Sequence, residues 1–169
     1  MDKLFTPRKS TWSDVPGLLA WLAVTFVAAA AGAVASSNAK NFYLALSRPD
    51  WAPPPWVFGP VWSVLYLMMG MAAWLVWRQR SAPGRSRALA LFVAQLVANA
   101  LWSWLFFASH EGAMAFVDVL VLWALVALTA QAFWRIRRRA GVLLLPYLAW
   151  VSFASALTWA VWQRNPGVL

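Results

Sequence analysis

The chain has 169 residues, 63% of them hydrophobic and only 11% charged, with 14 tryptophans, no cysteine and a formal net charge of +9. A water-soluble domain could not hide that much apolar surface, since ordinary soluble chains are about half apolar and a quarter charged. Without cysteine there can be no disulfide framework, iron-sulfur cluster or thiolate metal site.

Hydrophobic runs of about 20 residues match the roughly 30 Å hydrocarbon layer of a bilayer. Five occur, approximately at 15–35, 57–77, 88–108, 113–134 and 141–162, with a long first loop at 36–56. They are apolar all round, as spanning helices are, whereas barrel strands would alternate over about ten residues. The expected fold is therefore an all-α integral membrane protein, a single domain over residues 1–169 and one bundle of five transmembrane helices. The short connection from Ser109 to Gly112 implies that consecutive helices lie antiparallel and adjacent.

The amino-terminal tail carries Lys3, Arg8 and Lys9. Together with Arg78, Arg80, Arg85 and Arg87 of the second loop and Arg135, Arg137, Arg138 and Arg139 of the fourth, it gathers eleven basic residues on one side; Lys40, Arg48 and Arg164 stand on the other. The positive-inside rule then makes the amino terminus cytoplasmic and the carboxyl terminus external. The positive charge is thus read as topology and as contacts to lipid phosphates, not as a nucleic-acid footprint. In the first helix, Ala33-Val34-Ala35 before Ser36 imitates a signal-peptide cleavage site, but an apolar run of about 20 residues exceeds a signal core of 7 to 15, and the helix is read as retained. Ala28, Gly32 and Ser36 form a small-residue series suited to close helix packing.

The first loop contains Tyr43, Pro49, Trp51, Pro53, Pro54, Pro55 and Trp56. Consecutive prolines favour an extended, stiff segment, so this loop is expected either to cover the outer mouth of the bundle as a lid or to settle in the interface. The second helix presents Trp62, Tyr66 and Met69 at i, i+4 and i+7 on one face. In the third, Gln95, Asn99, Trp102 and Phe106 fall at i, i+4, i+7 and i+11, and this stripe has two readings: a pocket wall, or amides bonding to neighbouring helices. Ala90, Ala94 and Ala98 form a second small-residue series there, which motivates a homodimer through this helix and equally fits packing within one chain.

The fourth helix brings Asp118 inside the membrane, where a carboxylate is a site candidate by default, or else a dipole-stabilised acid paired with an arginine or tyrosine. The fifth offers Tyr147, Trp150, Ala154 and Thr158 on one face, with Ala154 leaving room for a ligand and Pro146 removing a backbone donor near the helix start. Trp12, Trp74, Trp77, Trp134 and Trp162, near helix ends, read as interfacial anchors. His110, the only histidine, lies beside Glu111 in a short outer loop and reads as solvated. No motif of nucleophilic, phosphate-loop or metal chemistry is present, so no metal and no required cofactor is expected.

Three strips, RPDWAPPPWVFGPVWSVLY from Arg48, AQLVANALWSWLFF from Ala94 and LPYLAWVSFA from Leu145, together with FVDVLV around Asp118 and the five-helix count, resemble the TspO/translocator protein (tryptophan-rich sensory protein) family over essentially the whole chain. The resemblance implies an often dimeric membrane protein that binds tetrapyrroles, protoporphyrin IX or haem, in a pocket beneath the first loop. By motif position that pocket would include Tyr43, Trp51, Trp62, Tyr66, Asn99, Trp102, Trp150 and Ala154, with Asp118 as a further polar contact and Tyr147 as a neighbour on the fifth-helix face. Trp62 and Trp150 match tryptophans implicated in a proposed light-dependent breakdown of porphyrin. Animal members bind cholesterol and benzodiazepine-type drugs, but LTWAVWQR has Trp159 where the proposed cholesterol motif expects tyrosine, which leaves sterol binding in doubt. A flat apolar macrocycle with anionic propionates calls for stacking rings and a basic group at the mouth, for which Arg48 or Lys40 is available. Three functions follow as expectations: a sensor or regulator of porphyrin metabolism and stress response, a light-dependent porphyrin-degrading enzyme, or a porphyrin or small-molecule transporter. The charge bias of a helical bundle points to the bacterial inner membrane.

Overall fold

A computed structural model describes residues 14–169; Lys3, Arg8, Lys9 and Trp12 lie outside the described residues. The described residues form helices and connecting turns with no strand. The helices are α1 (Val15–Ala35), a short α2 (Ala39–Ala45), α3 (Phe58–Trp77), α4 (Arg85–Ser103), α5 (Gly112–Ile136) and α6 (Arg138–Arg164). A 3-10 turn at Pro55–Val57 leads into α3, and a π-helical turn at Trp104–Ala108 extends α4. With those extensions, five helices are long and apolar enough to cross a membrane, starting and ending close to the expected bounds.

Two boundaries differ from expectation for one reason. The expected limits followed apolar content, yet arginine is a good helix former, so the helices run on into their basic flanks. Helix α4 begins at Arg85, and the connection expected between 134 and 141 shrinks to Arg137 alone, held extended at φ −150 and ψ 106. Pro146 accordingly sits well inside α6 rather than in its first turn, and leaves the Val142 carbonyl without its usual donor.

The helix arrangement also corrects the assumption that all consecutive helices are neighbours. Around the bundle the order is α1, α3, α6, α5, α4, with α1 packed against both α3 and α4. Helices α3 and α4 are consecutive in sequence but meet only slightly, because α1 stands between them and the connection from Arg78 to Gly84 is long enough to pass it. Small residues allow this. A Cβ on Gly70 of α3 would lie 2.7 Å from Leu22 Cδ2 and 3.2 Å from Leu22 Cα of α1, and one on Gly32 would lie 3.2 Å from Ser103 Oγ of α4. The Ala28, Gly32 and Ser36 series of α1 thus includes a close approach within the chain.

At the basic end, Asp14 pairs with Arg78 at 2.8 Å and its carbonyl accepts from Trp74 Nε1 at 3.0 Å, tying the start of α1 to the end of α3. The Arg78, Arg80 and Arg138 guanidinium groups lie over the rings of Trp74, Trp77 and Trp134 at 4.7, 5.7 and 5.2 Å. Such stacking keeps indoles and charges together where hydrocarbon gives way to headgroups. Trp162 differs from the other terminal tryptophans. It is half-buried and occupies the space a side chain at Gly112 would need.

The close approach of α1 and α3 makes a direct prediction. Gly70→Val should lower the thermal unfolding midpoint in detergent, with a loss of about 1–3 kcal/mol as expected of overpacking. Gly59→Ala, where a Cβ meets nothing within 4 Å among the described residues, should leave the midpoint unchanged.

Candidate functional site: an aromatic cavity under a folded loop

A cavity of about 650 Å³ opens between the lid-side halves of the helices, within the 300–1,000 Å³ typical of small-molecule pockets. Its floor is set by a buried hydrogen-bonded chain across three helices. The Tyr66 hydroxyl of α3 donates to Asn99 Oδ1 of α4. Asn99 Nδ2 donates to the Tyr147 hydroxyl of α6 at 3.1 Å, and that hydroxyl donates to Gln95 Oε1 at 2.9 Å. Gln95 Nε2 then points at Met69 Sδ, 3.8 Å away on α3. Every hydroxyl and amide in this relay has a partner, as buried polar groups in hydrocarbon require.

The two readings of the α4 stripe therefore both apply, to different residues. Gln95 serves the helix contact, whereas Asn99 bonds to its neighbours and also lines the cavity. Tyr147 is fully buried beneath the floor and does not line the cavity, but it holds the amides that do.

Above the floor, aromatic rings dominate. Trp62 and Tyr66 of α3 lie with centroids 5.6 Å apart, Trp102 stacks on Phe106 at 5.1 Å with planes 11° apart, and Trp150 meets Phe58 edge-on at 6.0 Å. All six line the cavity. Ala154 and Thr158 continue the α6 face, and Phe26, Ala29, Ala30 and Ala33 bring α1 to the opposite side. The π-helical turn matters here. Phe106 and Phe107, at i+7 and i+8 from Asn99, both lie within this turn and both line the cavity.

The first loop does cover this end, but it is not simply extended. Residues Ala39–Ala45 coil into α2, whose Phe42 packs against Phe106, Phe107 and His110, the last stacked at 4.3 Å. His110, at φ 56, is exposed as expected yet serves as a landing surface for α2. Pro54, at φ −65 and ψ 150, has the expected polyproline conformation. Tyr43 lines the cavity, donates from its hydroxyl to the Pro53 carbonyl at 3.0 Å, and lies under the Arg48 guanidinium at 4.8 Å. Burial pushes the Tyr43 phenol above its usual range, opposed by Arg48, so it stays a neutral donor. Asn165, just past α6, pins the loop: its Oδ1 accepts from Ser47 N at 2.8 Å and its Nδ2 donates to Ser47 O at 2.9 Å and Val161 O at 2.7 Å.

Of the ten residues expected at the site, Tyr43, Trp62, Tyr66, Asn99, Trp102, Trp150 and Ala154 are brought together around the cavity. Trp51, Asp118 and Tyr147 do not line it. Trp51 is 52% exposed and packs edge-on against Phe153 at 5.8 Å, outside the aromatic wall. Asp118 is buried on α5, and among the described residues its Oδ2 has neither an arginine nor a tyrosine as partner. The adjacent Val119 reaches the cavity in its place. Lys40 lines the mouth, whereas Arg48 is engaged with Tyr43. Phe153 and Phe107 line the cavity, and Asn165 pins its cover, without having been anticipated. The phenylalanines were hidden by an abundance of aromatic residues, and Asn165 by lying past the last apolar run.

These features define a multi-pass membrane protein built around an aromatic cavity with a polar floor and a folded cover. Residues 20–163 match the TspO/MBR family. The tryptophan-rich protein TspO of Chlorobaculum tepidum is 40% identical over 132 residues, covering 76% of this chain and 82% of that protein. The tryptophan-rich sensory protein of Cereibacter sphaeroides is 39% identical over 148 residues, 85% of this chain and 91% of its own. The human translocator protein is 37% identical over 129 residues, 75% and 76% respectively. The chain belongs to the TspO/MBR family.

The relay makes unequal demands on its two tyrosines. Tyr147→Phe strands both Asn99 Nδ2 and Gln95 Oε1, whereas Tyr66→Phe removes one bond. At about 0.6 kcal/mol on average per interhelical bond, and up to about 1.7, Tyr147→Phe should lower the thermal midpoint roughly twice as far. Equal midpoints would dissolve the relay.

Proposed function

We propose that this protein is a tetrapyrrole-binding sensor or regulator of porphyrin metabolism and stress response in the bacterial inner membrane, with protoporphyrin IX or haem as ligand. The observation that carries this reading is the match of chemistry between cavity and ligand. The walls offer broad aromatic faces from Trp62, Trp102 and Trp150 for a flat macrocycle. The mouth offers the Lys40 ammonium for a propionate, with Arg48 nearby on the same loop. Trp102 Nε1, buried on the cavity wall without a partner among the described residues, is a further donor awaiting an acceptor. The sensory designation of the Cereibacter sphaeroides relative supports the regulatory half of the reading.

A second reading, light-dependent degradation of the bound porphyrin, is favoured by one feature: Trp62 and Trp150 both line the same cavity. An excited macrocycle held against two indoles needs no acid-base machinery. A homodimer through α4 remains part of the proposal in altered form. Ala90 and Ala94 face outward, but Ala98 is buried, because eight residues at 3.6 per turn rotate it about 80° from Ala90. Any partner helix would then meet Ala90 and Ala94 without Ala98.

Titration of the purified protein with protoporphyrin IX, followed by tryptophan quenching in the dark, should saturate, and Trp62→Phe and Trp150→Phe should weaken it. Unsaturable quenching indifferent to both substitutions would overturn the binding reading. Under illumination, product formed equally well by free tryptophan would remove the enzymatic one.

A further inference from the structure

A second hollow, of about 630 Å³, lies on the outer surface of the α3–α6 pair, separate from the cavity. Its α3 wall presents Pro60, Val64 and Met68 at i, i+4 and i+8, and its α6 wall presents Pro146, Ala149 and Phe153 at i, i+3 and i+7, so each helix contributes one stripe. The small Ala149 between larger neighbours makes the hollow. Val64 is 55% exposed, and Pro60, Pro146 and Ala149 are exposed as well. Carbon lines almost all of it, the Met68 sulfur and the Trp150 indole nitrogen being the only side-chain exceptions.

The extent of the groove argues for its occupant. From Pro60 to Met68 it follows about 12 Å of α3 at 1.5 Å per residue. It starts in the first turn of α3, at the lid end, and stops near the middle of that 20-residue helix. It therefore runs from the interface to mid-membrane, the depth of one leaflet's hydrocarbon. A partner helix would call for a seam along the full span, and a charged or hydrogen-bonding ligand for polar groups the groove lacks.

We propose that the groove seats one acyl chain of a phospholipid from the leaflet on the lid side. The seat also bears on the cavity. Trp150 and Phe153 line both spaces, with centroids 5.5 Å apart, so a single layer of two rings separates the cavity from the bilayer. Trp51 packs edge-on to Phe153 from the loop side. The lipid chain backs the wall that the cavity's occupant faces, and its departure gives both rings room to swing outward. The seat itself does not depend on what the cavity holds.

Native mass spectrometry of the detergent-purified chain, titrated with dioleoyl-phosphatidylglycerol and separately with dioleoyl-phosphatidylcholine, tests the proposal. The unsubstituted chain should retain one lipid of either headgroup at collision energies that strip the rest. Ala149→Trp, which fills the hollow from one wall, and Val64→Trp, which fills it from the other, should lose that lipid. Val97→Trp, on the lipid face of α4 at a position 63% exposed, should keep it. If Ala149→Trp fails to fold, Val64→Trp carries the test alone, with helix content checked by circular dichroism. No retained lipid in the unsubstituted chain, or undiminished retention in the groove-filling variants, overturns the proposal. So does loss of a dimer in those variants without loss of lipid, which would make a second copy the occupant.

Discussion

The relay from Tyr66 through Asn99 and Tyr147 to Gln95 is the constraint on which the rest of the bundle depends. Apolar packing alone does not single out one helix arrangement in a bilayer, because lipid tails are as apolar as leucine. Polar side chains in hydrocarbon are more demanding. Each needs a partner, and this relay finds its partners only when α3, α4 and α6 stand at one depth and rotation. Helices α3 and α4, which otherwise barely touch, are joined here across the middle of the bundle. Below the relay, Met69, Phe92, Leu144 and Phe133 pack into a closed core. Above it the helices are held apart, and the cavity is the space that results.

The cover is organised by the same principle of satisfied polar groups at a sparse set of points. Asn165 answers both backbone groups of Ser47, Tyr43 answers the Pro53 carbonyl, and aromatic contacts from Phe42 complete the attachment. A loop of this length would otherwise sample many conformations at considerable entropic cost. The tryptophans divide accordingly. Trp74, Trp77 and Trp134 stack with arginines at the basic end, Trp62, Trp102 and Trp150 wall the cavity, and Trp51 stands outside that wall.

Much of this was legible in the sequence because apolar length and helical period are local properties. The five spans, the Trp62–Tyr66–Met69 face and the Gln95–Asn99–Trp102–Phe106 stripe needed only counting. What escaped depends on tertiary contacts. Helix α2 is stabilised by docking Phe42 onto Phe106, Phe107 and His110, and nothing in the proline-rich loop announces it. Phe107 shares the Asn99 face at i+8, one position past Phe106, and was lost among the many aromatic residues around it. Asp118 was singled out because a carboxylate in a span is rare, but motif position could not reveal that it lies off the cavity. Trp51 was grouped with the site by its motif, while its 52% exposure depends on where the loop lands.

We propose that relay and cover together enclose a space fitted to a tetrapyrrole. A crystal structure of the protein with protoporphyrin IX tests it most directly. The account predicts the macrocycle between Trp62 and Trp150, above the Tyr66–Asn99 pair, with a propionate toward Lys40. Porphyrin found only on the outer surface, with the cavity unfilled and its rings unmoved, would contradict it.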